Sequence, residues 1–480
     1  MSRAWTVWAF VAAMPLLGFW AYGLFDLDEG FYAAVVGDMI RRGDWIVPTI
    51  GGKPWFEKPI LLYWAAIPTV QAFGPELGAR LPSVLATVGA ILLGGWATAR
   101  WTSVRAAPLA CLALGTSLLV AAIGRMMLTD ALLLLTLSGA LVALYGYGTG
   151  LGSRWLVGAG ASLGLAVLAK GPVAILLFGG VALFTLARER RSFLFRWSDL
   201  LGFGLALVAV VGSWYLPAYL REGDVFVQKF LIEQNVGRFT GGDNAHRVSP
   251  AWLHPIYFPV VLLLGAAPWS FQAFRRSFWV AEPGETGRWQ RFLVRWFLTI
   301  LVFFSISGSK LPHYIVPAAF PLALLSAQSL ASGRRSFEKL QAAGAAWAVV
   351  LMGGLTAGFI AYYRSSGHAE VHALAKQALK TDPKATLWMF QMPRREKALG
   401  TGTMRIQETS HPSVRFVYTG DVQEGETLEG ANRGDWVLTR SSRTLPESVD
   451  GSPIRSIRDG ENYRLLRIGG DNAQTSEASQ

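Results

Sequence analysis

The side chains best suited to chemistry lie in one charged stretch near the amino terminus, residues 26–59. Asp28-Glu29 and Glu57-Lys58 stand there, close to strongly apolar segments of a chain that is 52% hydrophobic and 16% charged. A charged loop beside lipid costs free energy unless water, pairing or a reaction compensates it. Carboxylates can take a proton from an attacking group, and an ammonium can neutralise a phosphate. The loop is therefore predicted to hold a reaction site at a membrane surface.

Further polar residues follow at the ends of apolar segments. Asp130, Arg238 and Lys310 add one carboxylate and two cations, and His246 and His313 lie in loops of the same kind. Cations suit a phosphate that binds or leaves, and two carboxylates with a histidine can hold a divalent metal beside it. Together these residues form a set that fits phosphate chemistry.

Each residue of the set also has a structural alternative that the sequence leaves open. Asp28 can cap a helix amino terminus and complement its dipole. Glu57-Lys58 can be a surface ion pair, and Asp130 can be a helix cap with Arg125 as its partner. A single histidine is more often a hydrogen-bonding residue than a metal ligand.

Composition narrows the class of protein. The chain has 480 residues, and its 19 Trp and 52 Gly are typical of membrane proteins, where aromatic residues anchor at interfaces and glycine allows close helix packing. The formal net charge of +12 does not indicate nucleic acid binding, because no basic face and no aromatic–basic module accompanies it. The single Cys111 excludes an internal disulfide and a cysteine metal cluster.

The apolar segments predict a polytopic all-α membrane protein. A helix needs about 20 apolar residues to cross a bilayer. Eleven segments come near that length: 5–25, 81–99, 106–124, 131–149, 155–170, 172–187, 199–219, 252–273, 292–308, 312–331 and 342–363. Arginine-rich loops alternate with the polar ones and are expected on the cytoplasmic side. The loops 26–80, 220–251 and 309–314 are then extracytoplasmic.

The first polar loop and the carboxyl-terminal region have structure of their own. Residues 28–42, which Gly43 ends, and residues 59–73 are predicted as helices that lie along the membrane interface. After a membrane domain over 1–363, residues 364–468 are predicted to form a small soluble α/β domain, followed by a disordered tail over 469–480. The predicted elements of the α/β domain are a helix over 368–379 and strands over 386–391, 414–418, 435–439 and 462–468.

An ordered series of short motifs resembles one family. The series runs Asp28-Glu29-x-x-Tyr32, Gly43-Asp44-Trp45-Ile46-Val47-Pro48, Phe56-Glu57-Lys58-Pro59-x-x-x-Tyr63-Trp64, Ala79-Arg80-Leu81-Pro82-Ser83, Thr129-Asp130, Lys170-Gly171-Pro172, Gly237-Arg238-Phe239 and Lys310-Leu311-Pro312-x-Tyr314-Ile315-x-Pro317. It resembles the bacterial aminoarabinose transferase and protein O-mannosyltransferase-like glycosyltransferases, over residues 1 to about 330. Two positions depart from the family pattern, Phe31 and Gln234-Asn235.

The resemblance implies a GT-C fold and a reaction. Such enzymes move a sugar from a polyprenyl-phosphate carrier to a lipid, glycan or protein acceptor, on the extracytoplasmic face of the inner membrane. The partners implied are therefore the lipid-linked sugar donor, the acceptor, for example lipid A or a cell-envelope glycan, and the bilayer.

The resemblance also implies a role for each site residue. The catalytic carboxylates are Asp28, near the acceptor nucleophile, with Glu29 and Asp130. The donor phosphate is bound by Lys58, Arg238, Tyr314, Lys310 and Tyr32. A divalent metal ion is the one cofactor considered, with Glu57 and His246 as its ligands. The reaction is expected to invert the anomeric configuration.

Two other classes of function are compatible with such a sequence. A transporter or flippase for a polyprenyl-linked substrate would place polar residues near the bilayer midplane, often in repeated halves. The polar set here lies in loops on one face, and the sequence shows no internal repeat. A non-catalytic assembly scaffold would leave the set without a purpose. Release of sugar from the donor distinguishes the three.

Overall fold

Two compact units make up the chain. The computed structural model describes residues 10–26, 28–189, 195–237, 248, 250–281, 283–331, 337–392, 395–398, 404–408 and 411–469. The first unit comprises Met1–Phe19, Phe56–Thr69 and Arg80–Thr356, and the second comprises Trp20–Trp55, Val70–Ala79 and Ala357–Gln480. The predicted tail lies outside the described residues from position 470 onward.

Helices dominate the chain up to residue 381. The longer ones are Asp28–Arg42, Leu61–Phe73, Pro75–Trp101, Ala107–Gly115, Leu118–Ile123, Thr129–Gly148, Ser153–Lys170, Val173–Glu189, Trp197–Glu222, Tyr257–Gly265, Glu285–Ile306, Ala319–Ala331, Phe337–Ser365 and His368–Thr381. A π-helix follows the short helix Asp224–Phe226 over Val227–Gly237. Short helical turns occupy Met14–Leu16, Ala251–Leu253, Trp269–Phe274, Arg276–Trp279 and Pro312–Ala318.

Six helices in the described part of the chain are long and apolar enough to cross a membrane. They are Pro75–Trp101, Thr129–Gly148, Trp197–Glu222, Glu285–Ile306, Pro312–Ala331 and Lys339–Ser365. Each matches a predicted span, so the polytopic helical architecture is confirmed, whereas the count of eleven is not. Val173–Glu189 has 17 residues, fewer than the roughly 20 that a perpendicular span needs.

Three of the predicted spans are interrupted where polar or proline residues disturb the helix. The segment 106–124 breaks at Thr116 and Ser117, whose hydroxyls donate to the carbonyls of Leu112 (2.6 Å) and Ala113 (2.7 Å). Such local bonds compete with the helical ladder. The segment 252–273 is divided by Pro268, which has no N–H to donate. The described part of 5–25 contains the short turn Met14–Leu16 instead of one continuous helix.

The helix after the first apolar segment has the predicted limits. Asp28–Arg42 ends before Gly43, whose φ of +63° is a conformation that glycine adopts without a Cβ penalty. Near its start, the Glu29 carboxylate accepts the Phe25 N–H at 3.1 Å. The second predicted helix begins at Leu61, two residues later than expected, and leaves Glu57-Lys58 in the loop before it.

A mixed sheet forms the core of the carboxyl-terminal region. Its strands are β3 (Leu387–Phe390), β6 (Val422–Gly425), β7 (Trp436–Arg440), β8 (Ser448–Val449), β9 (Ser452–Asp459) and β10 (Tyr463–Ile468), in the order β6-β3-β7-β10-β9-β8. Strand β3 is parallel to β6 and β7, and β10 is antiparallel to β7 and β9. Two small hairpins join β1 (Thr49–Ile50) to β2 (Lys53–Pro54) and β4 (Arg395–Ala398) to β5 (Met404–Glu408).

One predicted strand in this region is wrong. Residues 414–418 were expected to be extended because they are rich in valine and aromatic residues, but Val414–Val417 is a short helix. The Val417 N–H donates to the Ser413 carbonyl (2.9 Å), and the Tyr418 N–H donates to that of Val414 (2.8 Å). The helix packs on Asp28–Arg42, where a Cβ at Gly37 would lie 3.3 Å from the Phe416 ring. Tertiary packing therefore overrides the local β preference.

Candidate functional site

A cavity in the first unit is lined by residues from several of the sequence motifs. Its volume is about 90 Å³, several times the space of roughly 10–15 Å³ that one water requires. Its lining consists of Glu57, Lys58, Leu133, Lys170, Val173, Phe230, Gln234, Asn235, Phe303, Phe304, Ser307, Ser309 and Tyr314. The walls are largely apolar, and ammonium, hydroxyl and amide groups stand among them. This combination suits an amphiphilic ligand with an anionic head group.

Asp130 lies in the first turn of the helix Thr129–Gly148 and is fully buried. Its Oδ2 accepts a hydrogen bond from Lys170 Nζ at 2.6 Å, and its Oδ1 has no partner among the described residues. The residue is not the helix cap, because Leu128 precedes the helix in an extended conformation. Nor is Arg125 its partner, since that guanidinium donates to the Leu17 and Met352 carbonyls.

Ser83, in the motif Ala79-Arg80-Leu81-Pro82-Ser83, supports the cavity although it does not line it. Its hydroxyl donates to the Leu128 carbonyl at 3.0 Å and accepts the Leu128 N–H at 3.2 Å. This pair of bonds holds the residue that precedes Thr129-Asp130. Arg80, three positions earlier and fully buried, donates to the Phe19 carbonyl at 3.2 Å. The motif that contains both residues therefore positions the Asp130 turn.

The Lys170-Gly171-Pro172 motif forms one edge of the cavity. Lys170 ends the helix Ser153–Lys170, and its Nζ lies 5.1 Å from the centre of the Tyr314 ring. Gly171 has a φ of +94°, and a Cβ there would lie 2.7 Å from Asn235 Oδ1. Only glycine combines that conformation with such a close neighbour. The Asn235 amide in turn donates to the Phe230 carbonyl at 2.6 Å.

Glu57 and Lys58, for which the resemblance implied metal binding and phosphate binding respectively, both line the cavity. Lys58 is buried, so its ammonium has lost most of its contact with water. A buried ammonium needs an anionic or hydrogen-bonding partner. Two lysines and only one carboxylate in the lining favour an anion over a divalent metal, which prefers several oxygen or imidazole ligands. The described donor set therefore does not fit a metal ion in this cavity.

Lys310 has another role in the described geometry. Its Nζ donates to the carbonyls of Phe304 (2.7 Å) and Ser305 (2.8 Å) at the end of Glu285–Ile306. Burial lowers the pKa of this ammonium. Lys310 caps the helix that carries two aromatic residues of the cavity wall, and its contact with a phosphate stays a prediction.

The remaining predicted site residues are distributed outside this cavity. Arg238, His246 and the side chain of Asp28 lie outside the described residues. Glu29 and Tyr32 belong to the second unit, where both are buried. The residues missed as site members are Lys170 and Asn235. Lys170 belongs to a recognised motif, but the sequence gives no indication that it pairs with Asp130, 40 residues earlier.

Helices long and apolar enough to cross a membrane therefore carry a cavity with largely apolar walls and a few ammonium, hydroxyl and amide groups, which is the architecture of an integral membrane protein. Residues 57–215 match the family described as dolichyl-phosphate-mannose-protein mannosyltransferase. The resemblance predicted from the motif series is thereby confirmed.

Individual relatives agree with the family match. The undecaprenyl phosphate-alpha-4-amino-4-deoxy-L-arabinose arabinosyl transferase of Pseudomonas aeruginosa (strain UCBPP-PA14) is 34% identical over 325 residues, 64% of this chain and 56% of the relative. That of Aeromonas hydrophila is 32% identical over 318 residues, 63% of this chain and 55% of the relative. The chain thus spans little more than half the length of these relatives.

A solved structure shares the fold. The crystal structure of ArnT from Cupriavidus metallidurans bound to undecaprenyl phosphate superposes with a TM-score of 0.75 at 19% identity. The superposition covers 98% of this chain and 97% of that one. The GT-C-type helical architecture expected from the motifs is therefore confirmed.

Proposed function

We propose that this chain is a membrane glycosyltransferase that moves a sugar from a polyprenyl-phosphate donor to a lipid, glycan or protein acceptor. The observation that carries the proposal is the cavity in the first unit, where Lys58 and Lys170 are among the residues that line largely apolar walls. The lysine ammonium groups suit a phosphate head group, and the apolar walls suit a polyprenyl chain. The names of the relatives agree, since each states an undecaprenyl-phosphate-linked aminoarabinose.

The proposed reaction is a single displacement at the anomeric carbon. A hydroxyl, phosphate or amine of the acceptor attacks this carbon, the bond from the carbon to the phosphate oxygen breaks, and the configuration inverts. The phosphate leaves on its lipid carrier, Lys58 and Arg238 neutralise its charge, and the Tyr314 hydroxyl donates a hydrogen bond to it. Asp28 orients the acceptor group or takes its proton. None of these steps uses a metal ion.

In this proposal Asp130 and Lys170 have a positioning role in the wall of the cavity. Their ion pair joins the start of one helix to the end of another. The free acceptor capacity of Asp130 Oδ1 is then available to a donor group of the bound ligand or of a neighbouring side chain. The pair therefore positions Lys170 and the adjacent Gly171 turn.

The site is proposed to face the extracytoplasmic side of the inner membrane. The arginine-rich loops alternate with the motif loops, and positive loops remain in the cytoplasm. The proposed carboxyl-terminal domain, residues 364–468, lies on the same extracytoplasmic side. A periplasm-dependent reporter fused after residue 365 is expected to be active, and a cytoplasm-dependent one inactive. The reverse result contradicts this orientation.

The decisive test of the function follows the fate of both halves of the donor. Purified protein in detergent receives a polyprenyl-phosphate sugar labelled in the sugar, together with an extract of cell-envelope acceptors. We expect the label to move to an acceptor while free polyprenyl phosphate accumulates in equal amount. Added polyprenyl phosphate should inhibit competitively, whereas the matching polyprenol, which lacks the phosphate, should not. Movement of intact donor across a vesicle membrane without sugar transfer would instead indicate a transporter.

A further inference from the structure

A second cluster of buried polar side chains lies in the second unit. Asp26, His368 and His411 are 2%, 5% and 6% exposed, and each offers one ligand atom within 4.8 Å of the other two. Asp26 Oδ2 lies 2.7 Å from His411 Nδ1 and 3.4 Å from His368 Nε2. Ligand atoms on a tetrahedral zinc ion are separated by about 3.3 Å, because each metal–ligand bond is close to 2 Å. Asp26 Oδ2 lies close to that separation from His368 Nε2 and somewhat nearer to His411 Nδ1, so the three atoms form a group small enough for one ion to contact.

The outer hydrogen bonds of the two histidines also match a metal site. The Ser366 hydroxyl contacts His368 Nδ1, on the far side of the ring from Asp26. The Tyr463 hydroxyl lies 3.1 Å from His411 Nε2, again on the far side. A histidine that binds a metal commonly has its other ring nitrogen hydrogen-bonded, which fixes the tautomer and the ring orientation.

The carboxylate and one ring already have a lone pair on the atom that we consider as a ligand. His368 Nε2 accepts the Asp26 N–H at 3.1 Å, so its proton is on Nδ1. Asp26 Oδ1 accepts the Ser413 N–H at 2.8 Å, which leaves Oδ2 facing the histidines. His411 needs only to move its proton from Nδ1 to Nε2, and the Tyr463 hydroxyl can accept it there because hydroxyls both donate and accept.

We propose that Asp26, His368 and His411 bind a divalent transition metal of the zinc class, with a water molecule as the fourth ligand. Imidazole nitrogens with one carboxylate are a donor set that suits zinc and disfavours calcium or magnesium. The ion replaces the hydrogen bond between Asp26 and His411 and the amide contact to His368. It connects positions that are 342 and 385 residues apart in sequence. Closing loops of that length makes the ion a structural crosslink within the second unit.

Three of the six histidines of the chain lie in this neighbourhood, and the third is a natural control. His372 is fully buried, but both of its ring nitrogens have partners: Tyr363 OH at 2.9 Å and Ser413 Oγ at 2.7 Å. It is outside the ligand set. His372→Gln keeps polar atoms for both bonds and leaves the three proposed ligands in place.

The test measures metal content and unfolding, not transfer activity. The full chain is produced in zinc-supplemented medium, because a buried site is loaded during folding, and is washed with a chelator before elemental analysis. About one zinc per chain is expected for the wild type and for His372→Gln. His368→Gln and Asp26→Asn should retain less than about a tenth of that amount. Prolonged chelation should lower the Tm of the wild type and leave these two variants unchanged.

A milder variant keeps the test decisive if the ligand variants fail to fold. Tyr463→Phe removes only the outer hydrogen bond of His411, and it should weaken zinc binding by about 10–100-fold in competition with a chromophoric chelator. Cobalt loading should give the absorption bands of a four-coordinate nitrogen and oxygen site. Wild-type protein without bound zinc, or ligand variants that bind as much zinc as the wild type, would overturn the proposal. Either result leaves the transferase assignment intact.

Discussion

Asp130 in the first unit and Asp26 in the second are both almost completely buried, and the two aspartates have opposite surroundings. Asp130 in the first unit pairs with the Lys170 ammonium beside a cavity, and one of its oxygens has no partner among the described residues. Asp26 in the second unit has imidazole neighbours, and both of its oxygens accept hydrogen bonds. Its pKa is low despite the opposing effect of burial, since His411 donates to it and the neighbouring histidines stabilise its charge.

The comparison shows how the partner residue selects the ligand. Lysine cannot give up its role as a donor at neutral pH, so a site built with lysines attracts anions. Imidazole can present a lone pair, so a site built with histidines and a carboxylate attracts a metal cation. The first environment is proposed to bind the phosphate of the donor, and the second to bind zinc. Substitutions that affect only one site at a time test this separation.

The largest effect is expected from Asp28, two positions after Asp26. In Asp28→Asn, turnover should fall by about 10²–10⁴, the usual contribution of a group that orients or deprotonates a nucleophile. The Tm should change little, because asparagine caps a helix about as well as aspartate. Steady-state assays and thermal unfolding measure both quantities, and Glu447→Gln, an exposed carboxylate in the second unit, is the control. Near-normal turnover with unchanged Tm removes Asp28 from the mechanism.

Breaking the Asp130–Lys170 ion pair beside the cavity should markedly lower the free energy of unfolding of the first unit. Lys170→Met leaves the Asp130 carboxylate buried without its counter-ion, which costs about 3–5 kcal/mol in comparable buried pairs. The double variant Lys170→Met with Asp130→Asn removes both charges and should recover most of the lost Tm. Zinc content should be the same in all three proteins. A single variant as stable as the wild type contradicts the pairing.

Lys58 should contribute to donor affinity but not to the metal site. Lys58→Ala removes one charge-assisted hydrogen bond to the phosphate, worth about 1.5–3 kcal/mol, which corresponds to roughly a 10–150-fold weaker Kd. Binding of polyprenyl phosphate to purified protein measures this loss, and Lys229→Ala, an exposed lysine of the π-helix, is the matched control. Equal affinity in both variants would remove Lys58 from the phosphate site.

The smallest effect is expected where only the shape of the cavity changes. Gly171→Ala places a Cβ 2.7 Å from Asn235 Oδ1 at a φ of +94°, and donor affinity should fall by about 3–10-fold. Gly150→Ala has the same kind of strain, with a φ of +84°, but its Cβ has no neighbour within 4 Å. Both variants should lose a similar amount of Tm, and only the first should lose affinity. An equal loss of affinity in both assigns the effect to backbone strain alone.

Local signals predicted most of the helices and the order of the motifs. Apolar length identified the six spanning helices, and Gly43 marked the end of the helix Asp28–Arg42. The same signals failed where a hydroxyl or tertiary packing competed with them. Ser117 interrupted one span, and residues 414–418 formed a helix instead of a strand. Sequence patterns describe average local preference, which a few specific contacts can outweigh.

The sequence by itself determined the polytopic helical architecture and predicted a charged site in its polar loops, because hydropathy and charge are properties of each residue that do not depend on the fold. The tertiary structure decided which charges meet. It paired Asp130 with Lys170 instead of Arg125, and it brought His368 and His411 to Asp26 across more than 340 residues. Electrostatic and metal-binding character depend on distances of a few ångströms between atoms. Such distances are properties of the folded chain and have no local signature in its sequence.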